Sequence, residues 1–169
     1  MEEPRVVRAE FNPRVHRDIL VSTAQMRQLT PGSGKVASNY VLLDARPVAE
    51  YAGVVKSESI SQAGHIAGSQ SLYWKSLLRS DSNPQLADPE ELRQRFEDAG
   101  ARSSKAVVTY CRTGMQSSFT YFVARYLGYR AAMYDGSVYE WVHTVGNVLV
   151  SSNPPQPATA THQQKHLTR

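Results

Sequence analysis

The 169-residue chain holds one cysteine, within Val107-Val108-Thr109-Tyr110-Cys111-Arg112-Thr113-Gly114-Met115-Gln116-Ser117-Ser118. The residues before it are apolar and β-favouring, and those after it repeat at helical spacing, so Cys111 is expected where a buried strand ends and a helix begins. That position suits a nucleophile. Strand-end loops of open α/β sheets bind ligands, and a helix start offers unpaired backbone N–H groups and a positive dipole end, which favour a thiolate over a thiol. A lone cysteine without such context is more often buried filler. Here the guanidinium of Arg112, the hydroxyl of Thr113 and the freely turning Gly114 describe an anion pocket beside a thiolate, with loop N–H groups facing the sulfur. Cys111 is the candidate catalytic residue, and Arg112, Thr113, Gly114, Met115 and Gln116 are the candidate substrate-binding residues.

A metal site is not supported, because one cysteine and separated histidines give no recognisable ligand spacing. His162 and His166 stand four apart in a polar tail that offers no third ligand, so they read as solvated. Gly34-Lys35 invites a phosphate-loop reading that fails: Leu29 occupies the earlier glycine position, and Val36 follows the lysine where Ser or Thr is needed.

Alternating strand and helix patterns must position the cysteine. Residues 1–17 read as an irregular lead-in, and Ile19-Leu20-Val21 as a short strand. Ser22 caps a helix running to Leu29, ended by Thr30-Pro31-Gly32-Ser33-Gly34. Tyr40-Val41-Leu42-Leu43 is a continuous apolar run, expected to be a strand buried on both faces. Asp44 and Arg46 follow at its carboxyl end, either as a structural ion pair, the favoured reading, or as supports for the cysteine loop. Gly53 to Ser61 reads as an exposed loop, and Ser71-Leu72 as a minimal strand. Asp88-Pro89-Glu90-Glu91 opens a helix with a buried stripe of Leu92, Phe96 and Ala99, stopped by Gly100. Ala106 to Tyr110 is the strand that feeds the cysteine. Beyond the loop, Phe119, Phe122, Val123, Tyr126 and Leu127 are expected in the core, with Gly128 as terminator. Ala131 to Tyr134 is a further strand, and Ser137 and Glu140 have capping-box spacing for a last helix carrying Trp141. The domain is expected to span 18–148, with 149–169 as a flexible tail rich in Ser, Pro, Thr and Gln. The alternation implies an α/β domain with a mostly parallel sheet covered on both faces.

With 41% hydrophobic and 20% charged residues the composition is that of an ordinary folded protein. The net charge of +4 comes from scattered basic residues, which disfavours nucleic acid as a partner and favours a small anion. No signal segment and no membrane-spanning run are read, so a reduced, cytoplasmic location is expected, where the cysteine stays free to react.

Taken together, the motifs resemble the rhodanese family of sulfurtransferases. The resemblance rests on Leu43-Asp44-Ala45-Arg46 with Glu50-Tyr51, Gly64-His65-Ile66-Ala67-Gly68, the loop from Cys111 to Gln116, and Tyr134-Asp135-Gly136-Ser137 leading to Glu140-Trp141, all in the family's order from Ile19 to His143. It is greatest to the catalytic C-terminal half of two-domain members, and Phe11-Asn12-Pro13 resembles the connection between the halves. The resemblance implies a five-stranded parallel sheet with helices on both sides and no cofactor. It implies that Cys111 carries a persulfide between a small anionic sulfur donor and a thiol or cyanide acceptor. A second rhodanese-like domain, absent from this chain, would be a partner.

Three departures from the family pattern bear on the substrate. Two-domain members often have an arginine where this chain has Glu50, so Arg112 is expected to carry more of the substrate's charge. Mercaptopyruvate-directed members usually have glycine after the cysteine, and Arg112 therefore argues for thiosulfate, whose oxyanion suits a guanidinium fork. Val138 replaces a common tryptophan, which changes packing near Trp141. A non-catalytic or redox-sensing binding module on the same fold is the alternative reading, disfavoured by the retained Cys111 with Arg112 beside it. Dual-specificity cell-cycle phosphatases share the fold, but their loop is one residue longer and places an arginine six positions after the cysteine, where this chain has Ser117.

Overall fold

A computed structural model of the chain describes residues 10–14, 16–30 and 36–152. The first nine residues, Val15, the Pro31-Gly32-Ser33-Gly34-Lys35 stretch and the tail from 153 onward, including His162 and His166, lie outside the described residues. The elements run α1 (Thr23–Leu29), β1 (Tyr40–Asp44), α2 (Val48–Tyr51), β2 (Gln70–Ser71), β3 (Leu78–Ser80), β4 (Asn83–Leu86), α3 (Pro89–Asp98), β5 (Ala106–Tyr110), α4 (Met115–Tyr126), β6 (Ala131–Met133) and α5 (Ser137–His143).

Four strands form a parallel sheet in the order β2-β1-β5-β6, while β3 and β4 make a separate antiparallel hairpin. The fifth strand place is reduced to a single parallel bridge between Leu20 and Met133 beside β6, with Val21 N–H donating to Met133 O at 2.9 Å. Asp18 and Ile19 are wound into a short 3-10 turn, which leaves Leu20 alone to pair.

The central strands are buried on both faces, and their side chains alternate between two cores. Val41, Leu43 and Val107 pack with α3 and α4, whereas Leu42, Val108 and Tyr110 pack with Met26 of α1 and with Val138 and Trp141 of α5. Each fully buried Leu, Ile, Val or Phe contributes roughly 1.5–3 kcal/mol, so these two layers are the main source of stability.

Local chemistry accounts for most helix ends. Ser22 and Gln25 form a capping box at α1, and Gly100 and Gly128 follow α3 and α4 with φ of +84° and +86°. Three expectations are corrected. Asp88 holds the N-cap position of α3, but its carboxylate makes no capping hydrogen bond and pairs instead with Arg79 at 2.8 Å. Phe122 and Tyr126 are 54% and 55% exposed, since positions 119, 120, 123, 124 and 127 carry the inward face of α4. Ser137 and Glu140 form no capping box: Gly136 is the N-cap of α5, Ser137 lies inside the helix with φ +53°, and Glu140 accepts a hydrogen bond from Thr23. In the polar stretch from Gly53 to Ser61, Ile60 is the residue that reaches the core. Val150 bridges antiparallel to His65 and Ser151 Oγ donates to Ala52 O at 2.9 Å, so the described chain stays in contact with the domain beyond residue 148. Among the described residues, no helix is long and apolar enough to cross a membrane.

Candidate active site

The parallel register builds the site. Pairing of Tyr40 with Ala106 through to Asp44 with Tyr110 brings the carboxyl ends of β1 and β5 to one edge. Ala45 N–H extends the ladder to Tyr110 O at 2.9 Å, so Arg46 and Glu50 follow one strand while Cys111 and Arg112 follow its neighbour.

Cys111 is 1% exposed, between the end of β5 and the start of α4. Its Sγ accepts a hydrogen bond from Gly114 N–H at 3.2 Å, the arrangement that the turning loop was expected to make. Gly114 has φ +95°, and a Cβ there would lie 2.6 Å from Asp135 Oδ1 and 3.0 Å from Asp135 O, so both the backbone conformation and the space require glycine. Ser117 Oγ donates to Gly114 O at 2.8 Å, and Thr109 Oγ1 donates to Ser117 O at 3.0 Å, pinning the loop to the first turn of α4 and to β5.

The other wall is the start of α5. Val138 and Tyr139 N–H groups donate to the carbonyls of Cys111 and Arg112 at 3.1 and 3.0 Å, which satisfies helix-start donors and fixes the peptide units beside the sulfur. Ser137 Oγ accepts Cys111 N–H at 3.1 Å and donates to Tyr134 O at 2.9 Å. Ser137 is therefore a loop-holding residue that the sequence reading assigned to a cap. Its signal was the turn Asp135-Gly136-Ser137, which places a hydroxyl at a left-handed position facing the cysteine backbone.

Asp44 and Arg46 are joined as a buried pair. The Arg46 guanidinium donates from Nη2 to Asp44 Oδ2 at 2.5 Å and from Nε to both carboxylate oxygens, while Nη2 also donates to Gly64 O at 2.7 Å. Burial lowers the Arg46 pKa, and the hydrogen bonds and charge of Asp44 reverse this, leaving it above its ordinary value. Beneath the pair, the Tyr110 hydroxyl is hydrogen bonded to Ser69 Oγ at 2.7 Å and accepts Ile66 N–H at 3.2 Å, which ties β5 to the Gly64–Ser69 segment. Burial pushes that phenol well above its usual range.

Arg46 Nη1 also approaches Glu50 Oε2 at 3.8 Å, and Glu50 Oε1 accepts a hydrogen bond from Arg112 Nη2. Arg112 is thus paired with a carboxylate, where the sequence reading expected a cation left to the substrate. Of the remaining loop residues, Thr113 and Met115 are exposed, and Gln116 keeps a buried Oε1 without a hydrogen-bond partner. An open cleft of about 420 Å³ borders Thr113 and is also lined by Asp135, Gly136, Tyr139, Glu140 and His143.

The comparisons with known proteins agree with this architecture. Residues 25–144 match the family model described as Rhodanese-like domain. The chain is 37% identical over 113 residues to the sulfur carrier protein TtuD of Thermus thermophilus, covering 62% of this chain and 39% of that protein. It is 36% identical over 106 residues to a thiosulfate sulfurtransferase of Pseudomonas aeruginosa, covering 62% and 38%. The chain thus spans about two fifths of the length of the curated relatives it matches. Among solved structures, the Tum1 protein of Saccharomyces cerevisiae superposes with a TM-score of 0.69 at 24% identity, over 81% of this chain and 48% of that one. A probable thiosulfate sulfurtransferase superposes with a TM-score of 0.61 at 27% identity, over 84% and 52%.

Proposed function

We infer, from the premise that this chain belongs to the rhodanese-like domain family, that it is a sulfurtransferase in which Cys111 carries sulfane sulfur from thiosulfate to cyanide or a thiol. The observation that carries the reading is Cys111 Sγ under the Gly114 N–H, at the end of β5 and the start of α4. Relatives named thiosulfate sulfurtransferase and sulfur carrier support the same chemistry.

In the first half-reaction the Cys111 thiolate attacks the outer sulfur of thiosulfate. The sulfur–sulfur bond of the donor breaks, sulfite leaves with the electron pair, and a persulfide remains on Cys111. The Gly114 N–H, with Arg112 shared between Glu50 and the donor, stabilises negative charge on the donor and the persulfide, with Thr113, Met115 and Gln116 shaping the loop. Asp44 and Arg46 support it from the neighbouring strand. In the second half-reaction the acceptor attacks the outer persulfide sulfur, and the thiolate is regenerated. No cofactor enters, because sulfur moves with its bonding electrons balanced in each step. The proposed setting is cytoplasmic, with a second rhodanese-like domain as a partner and neither nucleic acid nor membrane involved.

Mass spectrometry after thiosulfate treatment tests the reading. A gain of roughly 32 Da that cyanide removes is the covalent intermediate's signature. Absence of the gain in folded protein, or its survival in Cys111→Ser, refutes the assignment.

A further inference from the structure

Four charged side chains around the cysteine loop neutralise one another. Asp44 holds Arg46 through several hydrogen bonds, and Glu50 holds Arg112 while standing 3.8 Å from Arg46 Nη1. Two guanidinium cations thus face two carboxylates, and the Cys111 loop presents no surplus positive charge from this group. Glu50 is the member that determines this balance. Its side chain is 8% exposed, and α2 places it one turn after Arg46, so it reaches both arginines from below. The Arg112 side chain, at 35% exposed, is the one of the four that solvent and ligand can reach.

A thiosulfate dianion seeking Arg112 has to compete with Glu50 for it. Drawing Arg112 away leaves a buried carboxylate without its closest cation, a cost of the kind that makes breaking a buried ion pair unfavourable. The dianion's charge also adds to that of the attacking thiolate and of Glu50. A donor carrying its sulfane sulfur on an alkyl chain, with at most one charge at the reacting end, meets neither penalty.

We propose that Glu50 is a specificity-determining residue that engages Arg112 and turns the site toward organic persulfides and away from dianionic donors. The proposal rests on the sulfur-transfer reading above and refines its donor, leaving thiosulfate as a weakly bound substrate. In the refined step the Cys111 thiolate attacks the terminal sulfur of R–S–SH and the donor sulfur–sulfur bond breaks. R–S⁻ leaves with the electron pair and takes up the proton released as the new persulfide ionises. No oxidant or reductant is consumed.

The test compares the rate of Cys111 persulfidation by thiosulfate and by 2-hydroxyethyl persulfide, in the full chain and in Glu50→Gln. Freeing Arg112 should lower the half-saturating thiosulfate concentration about tenfold with little change in maximal rate, the pattern of added ground-state binding, and should leave the alkyl persulfide within about twofold. Equal changes for both donors, or none for thiosulfate, overturn the proposal. If Glu50→Gln does not fold by circular dichroism, the unmodified chain decides: each donor's rate is divided by its rate with a free small thiol. A thiosulfate ratio equal to or above that of the alkyl persulfide overturns the proposal, and a lower one supports it. Absence of persulfide from both donors instead overturns the sulfur-transfer reading beneath it.

Discussion

Arg112 donates a hydrogen bond to Glu50, a carboxylate sixty-two residues earlier in the chain, and the two side chains differ in exposure, at 35% and 8%. The difference makes the pair asymmetric under mutation. Arg112→Gln strips the buried Glu50 of its closest cation, whereas Glu50→Gln leaves an arginine that water can solvate. Arg112→Gln should therefore destabilise the fold more than Glu50→Gln, and the double variant should lose less than the sum of the two. Denaturant titration of the four proteins should give a coupling of about 1–3 kcal/mol, as for residues in one charged network. Strictly additive losses would show that the pair contributes nothing beyond its separate members.

Ser137→Ala removes the acceptor for Cys111 N–H and the donor to Tyr134 O. A buried backbone donor left without a partner costs about 1–3 kcal/mol. Because the affected amide belongs to Cys111, the proposed nucleophile, the loss should appear in the persulfidation rate as well as in stability. Ser137→Gly, which also lacks the hydroxyl but fits the left-handed backbone at φ +53°, should transfer sulfur no faster than Ser137→Ala, so that the loss is assigned to the hydroxyl and not to backbone strain. If the alanine variant transfers sulfur at the full rate, Ser137 serves stability alone.

Gly114→Ala should be the most damaging small substitution in the loop. The added methyl meets both the side chain and the backbone of Asp135, at a φ of +95° that alanine resists. Asp135→Ala/Gly114→Ala relieves only the side-chain clash, so it should recover part of the stability and little of the sulfur transfer. Full recovery by the double variant would mean that the backbone conformation is not the constraint.

Much of this site follows from periodicity and turn chemistry. The strand ending at Tyr110, the helix starting beyond Gly114 and the cap at Ser22 are local features, and local rules recover them. The pairing of Arg112 with Glu50 is not local: it depends on the β1–β5 register and on α2 turning Glu50 back beneath the loop. Serine three residues before glutamate is also the pattern of a capping box, so only the position of the cysteine backbone separates the loop-holding role of Ser137 from a cap. Phe122 and Tyr126 fit the helical spacing of a core stripe, but the inward face of α4 is rotated to run through Thr120, Val123 and Ala124 and leaves them outside.

The Tyr134 hydroxyl shares a 2.8 Å hydrogen bond with Thr23 Oγ1, and burial is the main cause that raises its pKa from 10.0 to about 12. The folded value lies above the unfolded one, so the contribution is fully present below about pH 10 and is lost as pH rises toward 12. Tyr134→Phe should be less stable at neutral pH through the lost hydrogen bond. It should also show a shallower decline of stability between those two pH values, as read from thermal melts. Parallel declines in the two proteins would exclude Tyr134 as a contributor to alkaline unfolding.

Phosphate transfer should be absent. A transferring phosphoryl group needs a bidentate cation and a ring of donors wide enough for its oxygens. At the position where the phosphatase loop carries its arginine this chain has Ser117, fully buried, with its hydroxyl donating to Gly114 O, and the next residue, Ser118, donates to Met115 O. Both hydroxyls are spent within the helix start. The loop closes into α4 at Met115, and the nearby guanidinium of Arg112 is engaged by Glu50. Aryl phosphates and phosphopeptides should therefore release no phosphate under conditions where sulfur transfer is measurable. The decisive control is Cys111→Ser assayed in parallel: phosphate release of comparable efficiency that vanishes in that variant would overturn the assignment of a sulfur substrate.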